Sequence, residues 1–94
     1  MKIKDLAVGS SNVMLEVEVL SVEEPRKINK MGKELRVANV SIGDETGNIV
    51  LTLWNENIDK VSPGMKIKIE NGYVNEYQGN KQLTLGKFGT LTNL

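Results

Sequence analysis

The chain has no cysteine and no histidine. The first absence excludes disulfide stapling and thiolate metal sites, and nothing points to secretion. The second removes the usual general base and the commonest metal ligand. Aromatic residues are scarce: one Trp, two Tyr and one Phe in 94 residues. No apolar run approaches the ~20 residues that span a bilayer, and no signal-peptide core follows the first residues. No charge dominates either, since 12 basic residues balance 12 acidic ones. A zero sum argues mildly against a phosphate-bearing partner, because phosphate contacts need cations. These absences describe one domain, residues 1–94, expected to be soluble and cytoplasmic, with no membrane partner and no cofactor.

What is present is aliphatic. Hydrophobic residues make up 39% of the chain, rich in Val, Ile and Leu, which calls for a folded core. The most informative stretch is residues 43–54. Asp44-Glu45-Thr46-Gly47 supplies turn chemistry. The strand behind it alternates, with Ile49, Leu51 and Leu53 on one side and Val50, Thr52 and Trp54 on the other. The aliphatic set is the core face, so Trp54 points away from the core. There it either covers a core edge or stacks on a ligand.

The rest of the chain reads as strands. Residues 2–6 form a helical turn in which Ile3 and Leu6 dock on the domain. A long first strand spans about 12–24. Val13, Leu15, Val17 and Val19 point inward, after which Leu20 and Val22 take over in the opposite phase. Such a change marks a bulge or bend that lets one strand serve two sheets. Pro25 ends it. Residues 26–33 form a polar basic loop with Gly32 near the tip. A second strand, about 34–42, leads to the acidic turn and the third strand. Residues 55–61 suit a short helix capped by Asn55 or Asn57, with Glu56 and Asp59 at its positive end and Pro63-Gly64 as the stop. In the fourth strand, about 65–77, Asn71-Gly72 predicts a bulge. The bulge turns Val74 inward and Tyr73, Asn75 and Tyr77 outward. Gln78-Gly79-Asn80 is a hairpin turn. In the fifth strand, about 81–91, Leu83 and Leu85 point inward and Gln82 and Thr84 outward.

Five strands with one helix between the third and fourth is the arrangement of an all-β, five-stranded Greek-key OB-fold barrel. A small SH3-like barrel would not need the inserted helix. OB-folds take ligands across strands two and three, between the loops joining strands one and two and strands four and five. The cations cluster there. Arg26, Lys27, Lys30, Lys33 and Arg36 stand against the single acid Glu34, and Lys81 and Lys87 face no acid in residues 81–94. Residues 1–25 and 37–60 are acidic. Trp54, Tyr73 and Tyr77 would share the outward face with Thr52, Asn75, Gln82 and Thr84. Rings among cations and hydrogen-bonding side chains make a platform for single strands, where each stacked base contributes ~1–3 kcal/mol. The same tyrosines would also serve as ordinary cross-strand packing. Phe88 either stacks or plugs the barrel end.

Catalysis finds no support. Asp44 and Glu45 are adjacent acids in a turn that favours acids for backbone reasons, and a paired-acid enzyme needs its carboxylates to converge on a pocket. No phosphate loop, metal triad or nucleophile motif occurs.

The chain resembles the archaeal single-stranded DNA-binding OB domains of the replication protein A type, and their eukaryotic single-domain relatives. The resemblance runs from Glu24-Pro25-Arg26 through Gly43 to Gly47 and Leu51-Thr52-Leu53-Trp54. It continues through Ile58 to Val61, Pro63-Gly64, Ile67, Glu70 to Tyr73, and Gln82-Leu83. It implies binding of single-stranded DNA with little sequence preference, in replication, repair or recombination, by a non-enzymatic, nucleoid-associated protein. The family's stacking rings match Trp54, Tyr73 and Tyr77. Some members carry a larger ring where this chain has Tyr73, which implies weaker stacking there. Partners implied are single-stranded DNA, further OB domains and repair proteins. Two other classes stay open: a protein-interaction OB domain, kept alive by the zero net charge, and single-stranded RNA binding, since stacking does not report on the 2′-OH.

Overall fold

The computed structural model describes residues 2–94, with residues 86–88 described by backbone only. The expectations for Lys87 and Phe88 fall outside the described residues. Six strands follow one another: β1 (Val13–Val22), β2 (Arg26–Lys30), β3 (Lys33–Asp44), β4 (Gly47–Trp54), β5 (Lys66–Tyr77) and β6 (Asn80–Asn93). Two 3-10 segments, Ile3–Asp5 and Asn55–Lys60, stand before β1 and between β4 and β5. Pairings run β1–β5–β6–β4–β3 and return to β1, so five strands form a circuit. All are antiparallel except β4 with β6. This is the OB-fold arrangement.

Alternation builds the core. Val13, Leu15, Val17 and Val19 are buried, while Met14, Glu16 and Glu18 between them are exposed. Leu51, Leu53, Ile67, Ile69, Val74 and Leu83 complete the interior, each almost fully covered. Burying each such side chain contributes ~1.5–3 kcal/mol. Ile3 and Leu6 before β1, and Ile58 and Val61 between β4 and β5, belong to the same buried cluster.

β1 serves two partners, as its change of phase predicts. Its first half, through Glu18, pairs with β5, and residues 18–22 pair with β3. The register slips between Val19 and Ser21. Only Val22 returns to the core; Leu20 stays 43% exposed, because it occupies the extra position of the bulge. The second predicted bulge lies at Asn71-Gly72, where the β5–β6 register also shifts. Asn71 takes the left-handed φ of 56°, while a Cβ on Gly72 would meet Leu83 Cδ1 at 3.1 Å. The asparagine makes the bend and the glycine lets the strands close on it.

Two further expectations are corrected. The basic stretch is not a loop. Residues 26–30 are a sixth strand, β2, hairpinned on β3 with Lys30 opposite Lys33. Met31 and Gly32 at its tip both have positive φ, 53° and 76°, as a two-residue hairpin turn requires. The helix after β4 is 3-10, and neither Asn55 nor Asn57 caps it: Trp54 holds the cap position without a side-chain bond. Asn55 instead accepts a hydrogen bond from the backbone N–H of Arg36 at 3.1 Å. Tertiary pairing with β3 has taken the side chain that local sequence offers to the helix.

Candidate nucleic-acid interface

The outward face of the circuit is organised by register. Residues directly opposite one another in neighbouring strands share a face. One row runs Arg26, Val37, Trp54. A second runs Asn39, Thr52, Thr84, Tyr73. A third runs Ser41, Val50, Gln82, Asn75. Tyr77 closes the face opposite Asn80, at the Gln78-Gly79 turn.

The rings lie open on this face. Trp54 is 39% exposed, Tyr73 43% and Tyr77 60%. Val37, paired with Arg26 on one side and Trp54 on the other, is buried. A groove of about 300 Å³ crosses the face, bounded by Arg26 and Ile28 from β2, Asn39 and Thr52 in its bed, and Trp54, Tyr77 and Gln82. The Thr52 hydroxyl donates to Asn39 Oδ1 at 3.4 Å. The bed therefore presents polar groups between ring surfaces, which suits flat bases joined by a charged backbone.

Strand alternation divides the cations of the β2–β3 hairpin. Arg26, Ile28 and Lys30 stand opposite Val37, Leu35 and Lys33, on the face of Trp54. Lys27 and Asn29 stand opposite Arg36 and Glu34, on the other face. There Lys27 pairs with Glu34 at 3.4 Å and Arg36 with Asp59 at 2.9 Å. The guanidinium hydrogen bonds hold the Asp59 carboxyl below its ordinary range. So two of the five expected cations, Lys27 and Arg36, do not reach the groove side. Lys81 is also committed: its ammonium donates to the Leu6 carbonyl at 3.0 Å and ties the N-terminal segment to the β5–β6 hairpin.

Ile28, Val37 and Asn39 were not expected at the groove. Ile28 had a visible signal, since it alternates with Arg26 and Lys30.

The acidic turn belongs to the fold. Asp44 accepts from the backbone N–H of Ile3 at 2.9 Å and of Thr46 at 2.7 Å, and from the Thr46 hydroxyl. Desolvation pushes the carboxyl up, but these bonds, with one from the Gly47 N–H, outweigh it and hold the pKa at about 2. Glu45 pairs with Lys2. Among the described residues no cluster of three His, Cys, Asp or Glu could hold a metal, and no helix is long and apolar enough to cross a membrane.

A family model described as single-stranded DNA binding protein Ssb-like, OB fold, matches residues 6–93. The single-stranded DNA binding protein Ssb of Saccharolobus solfataricus is 32% identical over 85 residues, 90% of this chain and 57% of that protein. An uncharacterized Arabidopsis thaliana protein is 27% identical over 100 residues, covering 96% of this chain and 65% of its own. The chain thus spans a little over half to two thirds of the curated relatives it matches. Among solved structures, a replication factor A related protein from Methanobacterium thermoautotrophicum superimposes with a TM-score of 0.84 at 28% identity. That match covers all of this chain and 89% of the other.

Proposed function

The chain belongs to the Ssb-like OB-fold family of single-stranded DNA binding proteins, and from that premise we propose that it binds single-stranded DNA across this groove. One observation carries the reading. Three scarce rings, Trp54, Tyr73 and Tyr77, are left exposed on one sheet face, beside three cations of the same face with no acidic partner in the described residues. Bases stack on the rings, and Arg26, Lys30 and Lys33 follow the phosphates. Thr52, Thr84 and Asn75 supply hydrogen bonds without demanding one sequence. The chain acts by coating, not by catalysis, in replication, repair or recombination. Further OB domains and repair proteins are its fitting partners.

The test pairs binding with stability. Anisotropy of a labelled oligo-dT should show ~1–3 kcal/mol of affinity lost for each of Trp54→Ala, Tyr73→Ala and Tyr77→Ala. Urea unfolding should move by less than ~1 kcal/mol, as for surface positions. Variants that unfold easily but bind normally when folded would make these rings packing residues. Repeating the titration with oligo-U reads whether the 2′-OH matters.

A further inference from the structure

A second, larger cleft of about 610 Å³ adjoins the stacking groove and shares Gln82 with it. It lies toward the start of β4, where Ser41, Val50 and Gln82 stand side by side on the outward face. Val50 is four residues before Trp54, ~13 Å along an extended strand. The Gly79-Asn80 turn, Thr46 to Asn48 and Lys4 also line it. Its size falls within the roughly 300–1,000 Å³ of small-molecule sites.

The chemistry of this cleft differs from that of the groove. No aromatic side chain lines it. It holds three amides, Asn48, Asn80 and Gln82, and no hydrogen bond from any of their side chains occurs among the described residues. A cleft without rings offers no aromatic side chain for a base to stack on. Free amides, each with a donor and an acceptor, can pair with a base edge instead. Lys4, which also lines the cleft, has no ion pair among the described residues.

We propose that this cleft receives one unstacked nucleobase of the bound strand edge-on, read by Asn80 and Gln82, with Lys4 on the neighbouring phosphate. The proposal rests on single-stranded DNA crossing the adjoining groove. It gives a sequence-tolerant platform one position that distinguishes bases.

An abasic scan tests it. A dT oligonucleotide is made with one abasic site at each position in turn, and a second set carries dA, dC or dG at each position. Affinity is measured by anisotropy for the unaltered chain, Asn80→Ala and Lys4→Glu. One position outside the stacked set should show roughly tenfold discrimination among bases, the size of a bidentate amide contact. Asn80→Ala should weaken binding of the intact strand by a similar factor. Its loss should not add to that of the abasic site at that one position, and should add everywhere else. Lys4→Glu should reduce the log–log salt slope by ~0.7 without changing base preference. Binding that is indifferent to base identity everywhere, with additive losses throughout, overturns the cleft and leaves the stacking groove standing. An unaltered chain that fails to bind oligo-dT at all removes both.

Discussion

The β2–β3 hairpin has two faces that use the same residue types differently. On the front, Arg26, Lys30 and Lys33 share a side with Ile28 and Trp54, and none has an acidic partner among the described residues. On the back, Lys27 faces Glu34 and Arg36 faces Asp59 at bonding distance. A residue count sees one basic cluster. The pleat sorts it into charge available to a ligand and charge already engaged within the fold. The β3–β4 turn extends the second class, with Asp44 held by three backbone N–H groups and a hydroxyl. Zero net charge is therefore compatible with a cationic binding face, because field depends on where charge is unpaired.

The largest effect should come from reversing the front. With Arg26, Lys30 and Lys33 all changed to Glu, the log–log salt slope of oligo-dT binding should shrink by ~2, at ~0.7 per lost phosphate contact. Affinity at low salt should fall about a hundredfold or more. Stability should change little, since these side chains are exposed. A slope that stays put would show that the phosphates run elsewhere.

Asp44→Ala should be the next largest, and on stability alone. Losing the acceptor for the turn and the Ile3 N–H should cost ~1–2 kcal/mol in urea unfolding. The pH dependence follows from the depressed pKa. The carboxyl titrates at about 2 in the fold against an ordinary 3.8. Its contribution is complete above the unfolded value and is lost as pH falls from about 4 toward 2. Acid unfolding curves of Asp44→Ala should lack that part of the decline, while oligo-dT affinity of the folded protein at neutral pH stays within twofold.

A smaller effect should appear at the hairpin tip. Met31 is 92% exposed at a φ of 53°, a conformation its side chain disfavours. Met31→Asn should raise stability by roughly 0.5 kcal/mol, because asparagine tolerates the left-handed region. The register of β2 on β3, and with it the sorting of cations, should be unchanged. Amide exchange protection along residues 26–37 would read this.

Much of this is legible in the sequence, for a definite physical reason. Where one face of a strand is buried, the period of two is written in aliphatics. Val13 to Val19, Ile49 to Leu53 and Ile67 to Ile69 can be placed from the alternation alone. The parity flip at Asn71-Gly72 was visible in turn chemistry, and it carries Tyr73 outward. β2 carries no core signature, only the single alternating Ile28, because it buries nothing: all five of its residues are exposed, and the backbone ladder and the Met31-Gly32 turn hold it. The engagement of Asn55 with β3 and of Arg36 with Asp59 depends on contacts 19 and 23 residues apart, which no local pattern encodes.

The smallest expected effect is the one that isolates the comparison. Lys27→Gln with Arg36→Gln removes two positive charges from the same hairpin as the front reversal, but from the side that faces away from Trp54. Both pairs are exposed, and exposed pairs contribute only ~0–1 kcal/mol, so unfolding should shift by no more than that. Counterion release counts contacts with phosphate, not total charge. The salt slope should therefore stay within error of the unaltered chain, and affinity should drop only through the weak, screened field of two more distant charges. The single-charge comparison is Lys30→Gln, which should take ~0.7 from the slope. If the back-face double variant reduces the slope by as much as two front-face substitutions, the strand wraps both sides of the hairpin. The ion pairs with Glu34 and Asp59 would then open on binding rather than stay engaged with the fold.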